Sequence, residues 1–313
     1  MPKHKKILTP LICFSLVIFL TGCSEKETSK NAVTGSAVSG EAAETEEQTV
    51  ETPLMMTVND LPENRPDDKY RSCYDGDGIG DIEGVTQKLD YISELGFDAI
   101  WLMPVMPSPS YHKYDITDYE DIDPEYGSIQ DFEDLVVRSH ELGINIYIDL
   151  VLNHSSSEHP WFSAALDYIR TLEKDEEPDL SVCPYVDYYN FSKESKSGYT
   201  RVEEAASEWY YEAQFTDTMP DFNLKSPTLR SEFEEIVDFW LGQGVDGFRM
   251  DATTYYDSAS KDSSIEILKW IADYIYAEKS DAYIVGEAFT DLATYATAFL
   301  TSDSAIRTES RSR

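Results

Sequence analysis

The stretch Gly244–Ala252 reads Gly-Val-Asp-Gly-Phe-Arg-Met-Asp-Ala and has the pattern of a short buried strand. Arg249 and Asp251 are two residues apart, and side chains at that spacing on a strand point the same way. A guanidinium beside a carboxylate favours the ionised acid. The spacing therefore predicts that Asp251 stays charged and suits a nucleophile. For this stretch alone, a surface ion pair at a strand end is the alternative.

The segments around this stretch repeat one pattern, in which an amphipathic helix is followed by a short apolar strand. Apolar residues at helical spacing end near a glycine, and a continuous apolar run follows. The predicted strands are Ala99–Met103, Ile144–Leu150, the stretch within 244–252, and Tyr283–Glu287. Such alternation predicts an α/β fold, with a parallel sheet covered by helices.

Polar side chains gather where these strands end. Asp149 closes one strand and His154 follows it, Arg249 and Asp251 close the next, and Glu287 closes the last. In a parallel β/α barrel the active site lies at the carboxyl ends of the strands. The sequence therefore predicts a catalytic edge.

Two carboxylates at such an edge favour glycoside hydrolysis. Asp251 is the expected nucleophile. Glu287 ends an apolar run and has no cation beside it in the sequence, so we expect a raised pKa and the role of general acid. Neighbouring strand ends would place the two groups about 5 Å apart, which is the separation of retaining enzymes. His154 is expected to hydrogen-bond a sugar hydroxyl; a loop histidine that caps a turn is the alternative.

Four ordered motifs resemble glycoside hydrolase family 13, the α-amylases and their α-glucosidase relatives. They are Asp149-Leu-Val-Leu-Asn-His154, Met219-Pro-Asp-Phe-Asn223, Gly244-Val-Asp-Gly-Phe-Arg-Met-Asp251 and Ile284-Val-Gly-Glu287. The resemblance covers about residues 75–289. It implies a (β/α)8 barrel and retaining, double-displacement hydrolysis of α-1,4-glucosidic bonds in starch or maltodextrins. A glucosyltransferase or α-glucosidase of the same family, and a non-catalytic glucan-binding relative, are the alternatives.

The resemblance also implies roles for single residues. It makes Asp251 the nucleophile, Glu287 the acid/base and Arg249 the residue that positions the nucleophile. It implies substrate contacts for His154, Tyr114 and Asp115, with Tyr114 as an aromatic platform. The expected partner is an α-glucan or maltooligosaccharide.

The segment 155–218 resembles the small inserted domain that walls the substrate groove of the family. Its aromatic residues, Trp161 and Trp209 among them, are candidates to stack on sugar rings, although more of them are expected to pack a core of their own. The form of the motif at Met219 resembles neopullulanase-like and intermediate members, which favours short α-glucans.

A second motif, Asp75-Gly-Asp-Gly-Ile-Gly-Asp81, alternates acidic residues with glycine. Oxygen ligands so spaced can wrap a calcium ion, and the motif is similar to the calcium loop of many family members. The resemblance implies ligation by the side chains of Asp75, Asp77 and Asp81 and by the carbonyl of Ile79. A tight acidic turn without metal is the alternative.

The N-terminus has the features of a bacterial lipoprotein signal over 1–22. A basic start precedes an apolar run that is short for a membrane span, and Leu20-Thr21-Gly22-Cys23 follows. Cys23 is the expected lipidation site; an ordinary secretory signal is the alternative. The polar segment 23–53 predicts a disordered acidic tether, and 54–313 the catalytic region. We therefore expect an extracytoplasmic protein that meets the membrane only through its N-terminal lipid.

The formal charge of −35 over 313 residues argues against nucleic acid as a partner, because phosphate binding needs a basic surface. Two cysteines remain after the N-terminal segment, Cys73 and Cys183. Whether they pair is left open by the sequence.

Two features depart from the family pattern. The segment Arg65–Tyr74, where the first barrel strand is expected, is polar and charged, and the tail Thr301–Arg313 has no strand pattern. The Asn-His-Asp motif of the family is not found in the sequence. The expectation is a partial barrel with about strands 2–5 present, the first degraded and strands 6–8 absent. A truncated chain of this kind is expected to have weak or no activity.

Overall fold

The computed structural model describes residues 80–288, together with residues 15–18 and 307–309 as backbone strands. The helices are α1 (Ile82–Glu94), α2 (Ile129–Glu141), α3 (Pro160–Thr171), α4 (Pro227–Gly242) and α5 (Lys261–Glu278). The strands are β1 (Ser15–Ile18), β2 (Ala99–Leu102), β3 (Asn145–Leu150), β4 (Phe191–Ser192), β5 (Tyr199–Arg201), β6 (Tyr210–Glu212), β7 (Gly247–Met250), β8 (Tyr283–Glu287) and β9 (Arg307–Glu309).

Helix α1 shows why the local sequence folds as it does. Its apolar positions Val85, Leu89 and Ile92 form one buried face. The Asp81 carboxylate accepts a hydrogen bond from the Gly84 amide at 2.6 Å and so caps the helix start. The predicted alternation of helix and strand is confirmed here and at α2, α4 and α5.

The main sheet is parallel, as predicted, with the strand order β1-β2-β3-β7-β8-β9. In its register Asp149 of β3 lies opposite Arg249 of β7, and Arg249 lies opposite Val285 of β8. Because all these strands run the same way, the polar residues at their carboxyl ends meet at one edge.

The outer strands differ from the sequence expectation. Ser15–Ile18, inside the predicted signal segment, pairs with β2, and Arg307–Glu309, inside the tail expected to have no strand, pairs with β8. The physical reason is that pairing to an edge strand uses backbone groups, so an open edge can pair with the apolar residues of β1 as well as with the polar residues of β9. The polar segment Arg65–Tyr74 lies outside the described residues.

The segment 155–218 contains α3 and contributes a small antiparallel sheet of order β4-β6-β5. Phe162, Tyr189 and Tyr211 are buried, and the rings of both tyrosines pack against the Phe162 ring. Trp209 is buried, with the Lys193 ammonium 5.0 Å from its ring, and Trp161 packs against His159 and Tyr188. These aromatic residues therefore hold the insertion together, as expected for most of them.

Two further features of the described part bear on the sequence analysis. Cys183 is buried and its thiol donates to the Ala164 carbonyl at 3.7 Å, whereas Cys73 lies outside the described residues. Between residues 80 and 288, no helix combines the length and apolar character that crossing a membrane requires.

Candidate active site

Arg249 is the centre of a charged cluster at the carboxyl edge of the sheet. Its Nη1 lies 2.5 Å from Asp149 Oδ1 and 2.6 Å from Asp251 Oδ1, and its Nη2 lies 2.7 Å from Glu287 Oε2. The guanidinium thus touches one carboxylate from each of three adjacent strand ends. The planar fork of arginine donors suits this arrangement, which a lysine could not reproduce.

The surroundings keep Arg249 charged. Burial lowers its pKa, but the attraction of Asp149 and Asp251 outweighs burial and leaves the pKa well above the ordinary value. The guanidinium also lies over the rings of Trp101, at 5.1 Å, and Tyr114, at 5.8 Å. A fixed cation therefore faces the acids.

Asp251 is buried and lies beside Arg249, as the spacing predicted, but Arg249 is not the largest influence on its charge. Burial has the larger influence and raises the pKa of Asp251 above its ordinary value, while Arg249 lowers it. A hydrogen bond with the Glu287 side chain lowers the pKa of Asp251 further. That bond joins two carboxyl groups, so one of them must carry a proton. Because this bond lowers the pKa of Asp251, it acts with Arg249 in favour of the ionised form of Asp251.

The prediction that Glu287 has no adjacent cation is wrong. Arg249 belongs to the neighbouring strand, and the parallel register brings it to the Glu287 carboxylate although the two residues are far apart in sequence. Glu287 also shares a side-chain hydrogen bond with Asp251, so the two carboxyl groups are in direct contact.

Asp149 is a site residue to which the sequence analysis gave no role. It is fully buried, and its Oδ2 accepts hydrogen bonds from Trp101 Nε1 at 3.2 Å and from Tyr114 Oη at 3.3 Å. Burial raises the pKa of Asp149 to about 7, against the lowering effect of Arg249. Its place at the end of β3, inside a quoted motif, was the available signal. The residues that contact Asp149 lie elsewhere in the chain, and nothing in the local sequence indicates that they meet it.

His154 and Tyr114 both line the cleft above the charged cluster. Burial lowers the pKa of His154 to about 4, so its imidazole is neutral at neutral pH. Its Nε2 is buried and has no hydrogen-bond partner among the described residues. His154 thus lies where the predicted hydrogen bond to a sugar hydroxyl could form, and that role stays a prediction.

Asp115 is not brought into the cleft. It is buried, and its Oδ1 accepts hydrogen bonds from the hydroxyls of Ser108, at 2.7 Å, and Ser110. The physical reason is that consecutive loop residues face different ways, so the neighbour of a cleft residue need not share its exposure. In this structure Asp115 holds the loop that carries Tyr114.

The cleft has a volume of about 320 Å³, which suits a small ligand or part of a longer one. Its remaining lining residues are Trp101, Met103, His112, Phe215, Met219, Arg249, Asp251, Ala252 and Glu287. Phe215 is half exposed and packs against the His154 ring at 5.2 Å. The sequence analysis missed it, because it lies in a loop that has no periodic pattern. The insertion therefore meets the cleft through Phe215, and Trp161 and Trp209 do not line it.

Of the predicted calcium ligands, only Asp81 lies within the described residues, where it caps α1. Asp75, Asp77 and Ile79 lie outside them. Among the residues that the structure describes, no group of three or more His, Cys, Asp or Glu side chains is arranged to hold a metal ion.

A pair of carboxyl groups around one arginine, at the carboxyl edge of a parallel β/α sheet, defines the class of barrel-type glycoside hydrolases. The family model of the α-amylase catalytic domain matches residues 68–308. The chain therefore belongs to the α-amylase family, and the resemblance drawn from the four motifs is confirmed.

Curated relatives agree with this assignment. The chain is 43% identical over 216 residues to alpha-amylase 3 of Dictyoglomus thermophilum, a match that covers 69% of this chain and 40% of that protein. It is 42% identical over 195 residues to oligo-1,6-glucosidase of Parageobacillus thermoglucosidasius, covering 58% of this chain and 33% of that protein. The match thus spans well under half of these relatives.

Among solved structures, the chain is similar to Eubacterium rectale Amy13B. The TM-score is 0.70 at 52% sequence identity, and the match covers 72% of this chain and 44% of that one. Together these matches support the (β/α)8-type α/β fold for the part of the chain that they cover.

Proposed function

We propose that this chain carries the catalytic centre of a retaining glycosidase that acts on short α-1,4-glucans such as maltodextrins. The observation that carries the proposal is the contact of Arg249 with both Asp251 and Glu287, beside a cleft with an unpartnered buried histidine nitrogen. The names of the relatives support an α-glucoside as the substrate class.

In the first step, the Asp251 carboxylate attacks the anomeric carbon and forms a glycosyl ester. The bond to the leaving oxygen breaks, and Glu287 supplies the proton that this oxygen needs. Arg249 holds Asp251 in its ionised form and orients it.

In the second step, Glu287 takes a proton from water, and the resulting hydroxide attacks the same carbon. The ester bond breaks and Asp251 is released. If a sugar hydroxyl replaces water in this step, the same residues perform transfer. The alternatives within the family therefore differ in the acceptor and not in the charged cluster.

Binding is the first experiment, because it tests the cleft without requiring turnover. Calorimetry of the purified protein with maltotriose should show saturable binding, and His154→Ala should weaken it about tenfold through loss of one ligand hydrogen bond. His140→Ala is the matched control, since His140 lies at the opposite end of the sheet beside Asp246. Absence of maltotriose binding by the parent protein would overturn the proposed substrate class.

Product analysis separates the alternatives. Glucose and maltose from maltotriose indicate hydrolysis, longer oligosaccharides indicate transfer, and isomaltose cleavage in preference to maltose indicates an α-1,6-glucosidase. The relative named as an oligo-1,6-glucosidase makes the last comparison necessary. Binding of maltotriose without any turnover would favour the non-catalytic glucan-binding alternative.

A structural calcium ion bound by Asp75, Asp77, Ile79 and Asp81 is part of the proposal. Oδ1 of Asp81 accepts the Gly84 amide, and a carboxylate has a second oxygen, so helix capping and calcium ligation are compatible. The ion would brace the loop before α1 and take no part in the chemistry. Calcium should raise the melting temperature of the parent and not of Asp77→Ala; no shift in the parent would contradict the proposal.

We also propose an extracytoplasmic, lipid-anchored location. The support is the basic, apolar and Leu-x-Gly-Cys order of residues 1–23. Fractionation should find the parent in membranes and Cys23→Ala in the soluble fraction. Equal membrane association of the two proteins would contradict lipidation.

A further inference from the structure

The turn that follows Asp251 has an unusual backbone. Strand β7 ends at Met250, and the Asp251 amide donates to the Leu150 carbonyl at 3.2 Å. The next residue, Ala252, is left-handed, with φ 49° and ψ 36°, a conformation that residues with a Cβ adopt at a cost. A short 3-10 helix, Thr253–Tyr255, begins directly after it. The chain therefore reverses within two residues of the nucleophile.

This reversal places Thr253 against the end of the neighbouring strand. Thr253 is fully buried, and its hydroxyl donates to the Glu287 carbonyl at 2.5 Å. Its methyl group faces Gly286, where a Cβ would come within 3.3 Å of Thr253 Cγ2. The Thr253 side chain thus makes a hydrogen bond to the backbone of β8 through its hydroxyl and packs against Gly286 through its methyl group.

The position matters because the regular pairing of β7 with β8 ends at Met250 and Gly286. Asp251 and Glu287, the two catalytic carboxylates, are the next residue on each strand. The hydrogen bond from the Thr253 hydroxyl therefore joins the ends of the two strands just beyond their last paired residues.

We propose that Thr253 is a positioning residue that fixes Glu287 relative to Asp251. The inference rests on the proposed function, since it concerns the same two carboxylates. Loss of the hydroxyl frees the Glu287 backbone, so the Glu287 carboxyl no longer keeps its place between Arg249 and the leaving oxygen. The rates of reaction steps that need the Glu287 proton should therefore fall more than the rates of steps that do not.

The neighbouring Thr254 provides a matched control. It lies in the same turn, and its hydroxyl is buried without a hydrogen-bond partner among the described residues. Thr254→Val therefore removes a hydroxyl from the same short helix without removing a link to β8. Thr253→Val removes the link with little change in volume, and Thr253→Ser keeps it.

The first test is a binding measurement that needs no turnover. Deoxynojirimycin, a basic glucose analogue, senses both carboxylates through its ammonium, whereas neutral maltotriose senses mainly the cleft. Thr253→Val should lose about tenfold in deoxynojirimycin affinity and less than about threefold in maltotriose affinity. Thr253→Ser and Thr254→Val should match the parent.

Equal losses for the two ligands in Thr253→Val would overturn the positioning role and indicate general damage to the cleft. Unchanged affinities would overturn it as well. If Thr253→Val does not fold, the comparison of Thr253→Ser with Thr253→Ala decides by the same ratio. If the parent protein binds neither deoxynojirimycin nor maltotriose, the result would instead refute the proposed function.

The second test uses leaving groups of different acidity. The sugar leaving group of maltotriose needs a proton from Glu287 to depart. The fluoride of α-glucosyl fluoride departs with little acid assistance. Turnover of maltotriose by Thr253→Val should fall at least about tenfold more than turnover of α-glucosyl fluoride. Equal falls would contradict a role that acts through Glu287.

Discussion

An aspartate flanks each end of strand β7, with Asp246 directly before its start and Asp251 directly after its last residue, and the two ends have different chemistry. At the start, Asp246 Oδ2 accepts the Ile146 amide at 2.9 Å and lies 2.7 Å from His140 Nε2, with Lys279 nearby. At the other end, Asp251 shares one guanidinium with Asp149 and Glu287. Asp246 thus has an amide donor and two basic side chains around it. At the other end, three acids share a single cation.

The difference teaches how one strand can serve structure and catalysis. An acid whose oxygens are met by an amide and basic groups is satisfied and fixed. Three acids around one arginine, of which Asp149 and Asp251 are buried and Glu287 is partly buried, cannot all be ionised cheaply, so at least one readily holds a proton. In the proposed mechanism, that surplus of acid at the carboxyl edge provides a proton donor beside Asp251, the proposed nucleophile.

The largest expected effect is on turnover. Asp251→Asn should lower maltotriose turnover by about 10³-fold or more, because no covalent intermediate can form. Asp246→Asn, the same change at the other end of the strand, should leave turnover within about twofold. Comparable activity of Asp251→Asn and the parent would remove the nucleophile from the mechanism.

The next effect concerns stability at the start of the strand. A Cβ on Gly247 would clash with the Tyr283 carbonyl oxygen, a backbone atom that cannot move aside without breaking the β7–β8 pairing. Gly247→Ala should therefore lower the free energy of unfolding by about 1–3 kcal/mol, as overpacking does. Urea unfolding measures it.

Gly242→Ala is the control, since a Cβ there meets nothing within 4 Å. A Gly247→Ala protein as stable as Gly242→Ala would show that the register of β7 and β8 is wrong.

A third prediction uses the raised pKa of Asp149. Burial raises it to about 7, whereas an unfolded aspartate has a pKa of about 3.9. Between these values the folded protein binds the proton more tightly, so stability is present at low pH and falls as the pH rises through about 4 to 7. The free energy of unfolding should fall less between pH 5 and pH 8 in Asp149→Asn than in the parent. An equal fall in the free energy of unfolding for the two proteins would mean that a group other than Asp149 causes the pH dependence.

The smallest effect returns to the start of the strand. Asp246→Asn keeps an oxygen for the Ile146 amide but loses the charge beside His140, which is partly exposed. We expect a loss of about 0.5–1 kcal/mol in the free energy of unfolding and no change in maltotriose affinity. A change in affinity would mean that the two ends of the strand are coupled.

The same comparison shows what the sequence could predict. Strand ends and their polar residues follow from local spacing, which is why the sequence points to Arg249, Asp251, Glu287 and His154, and the structure places all four beside one cleft. Contacts between strands depend on register, which local spacing does not contain. For that reason the sequence missed Asp149 as a partner of Arg249, and Arg249 as the cation beside Glu287.

Loop residues were the least predictable. Tyr114 and Asp115 are adjacent in sequence, yet one lines the cleft and the other is turned toward Ser108 and Ser110. Phe215 reaches the cleft from the insertion, whose own packing fixes where it emerges. Such orientations depend on tertiary contacts that no periodic pattern records.

The central claim, that Asp251 attacks the sugar, is tested most directly by trapping the covalent intermediate. A fluorinated α-glucosyl fluoride that forms the glycosyl ester but hydrolyses slowly is incubated with the purified protein, and the protein is digested and analysed by mass spectrometry. The account predicts one glucosyl adduct, on the peptide that contains Asp251, and none in Asp251→Asn. An adduct on Asp149 or Glu287, or no adduct on a protein that binds maltotriose, would contradict it.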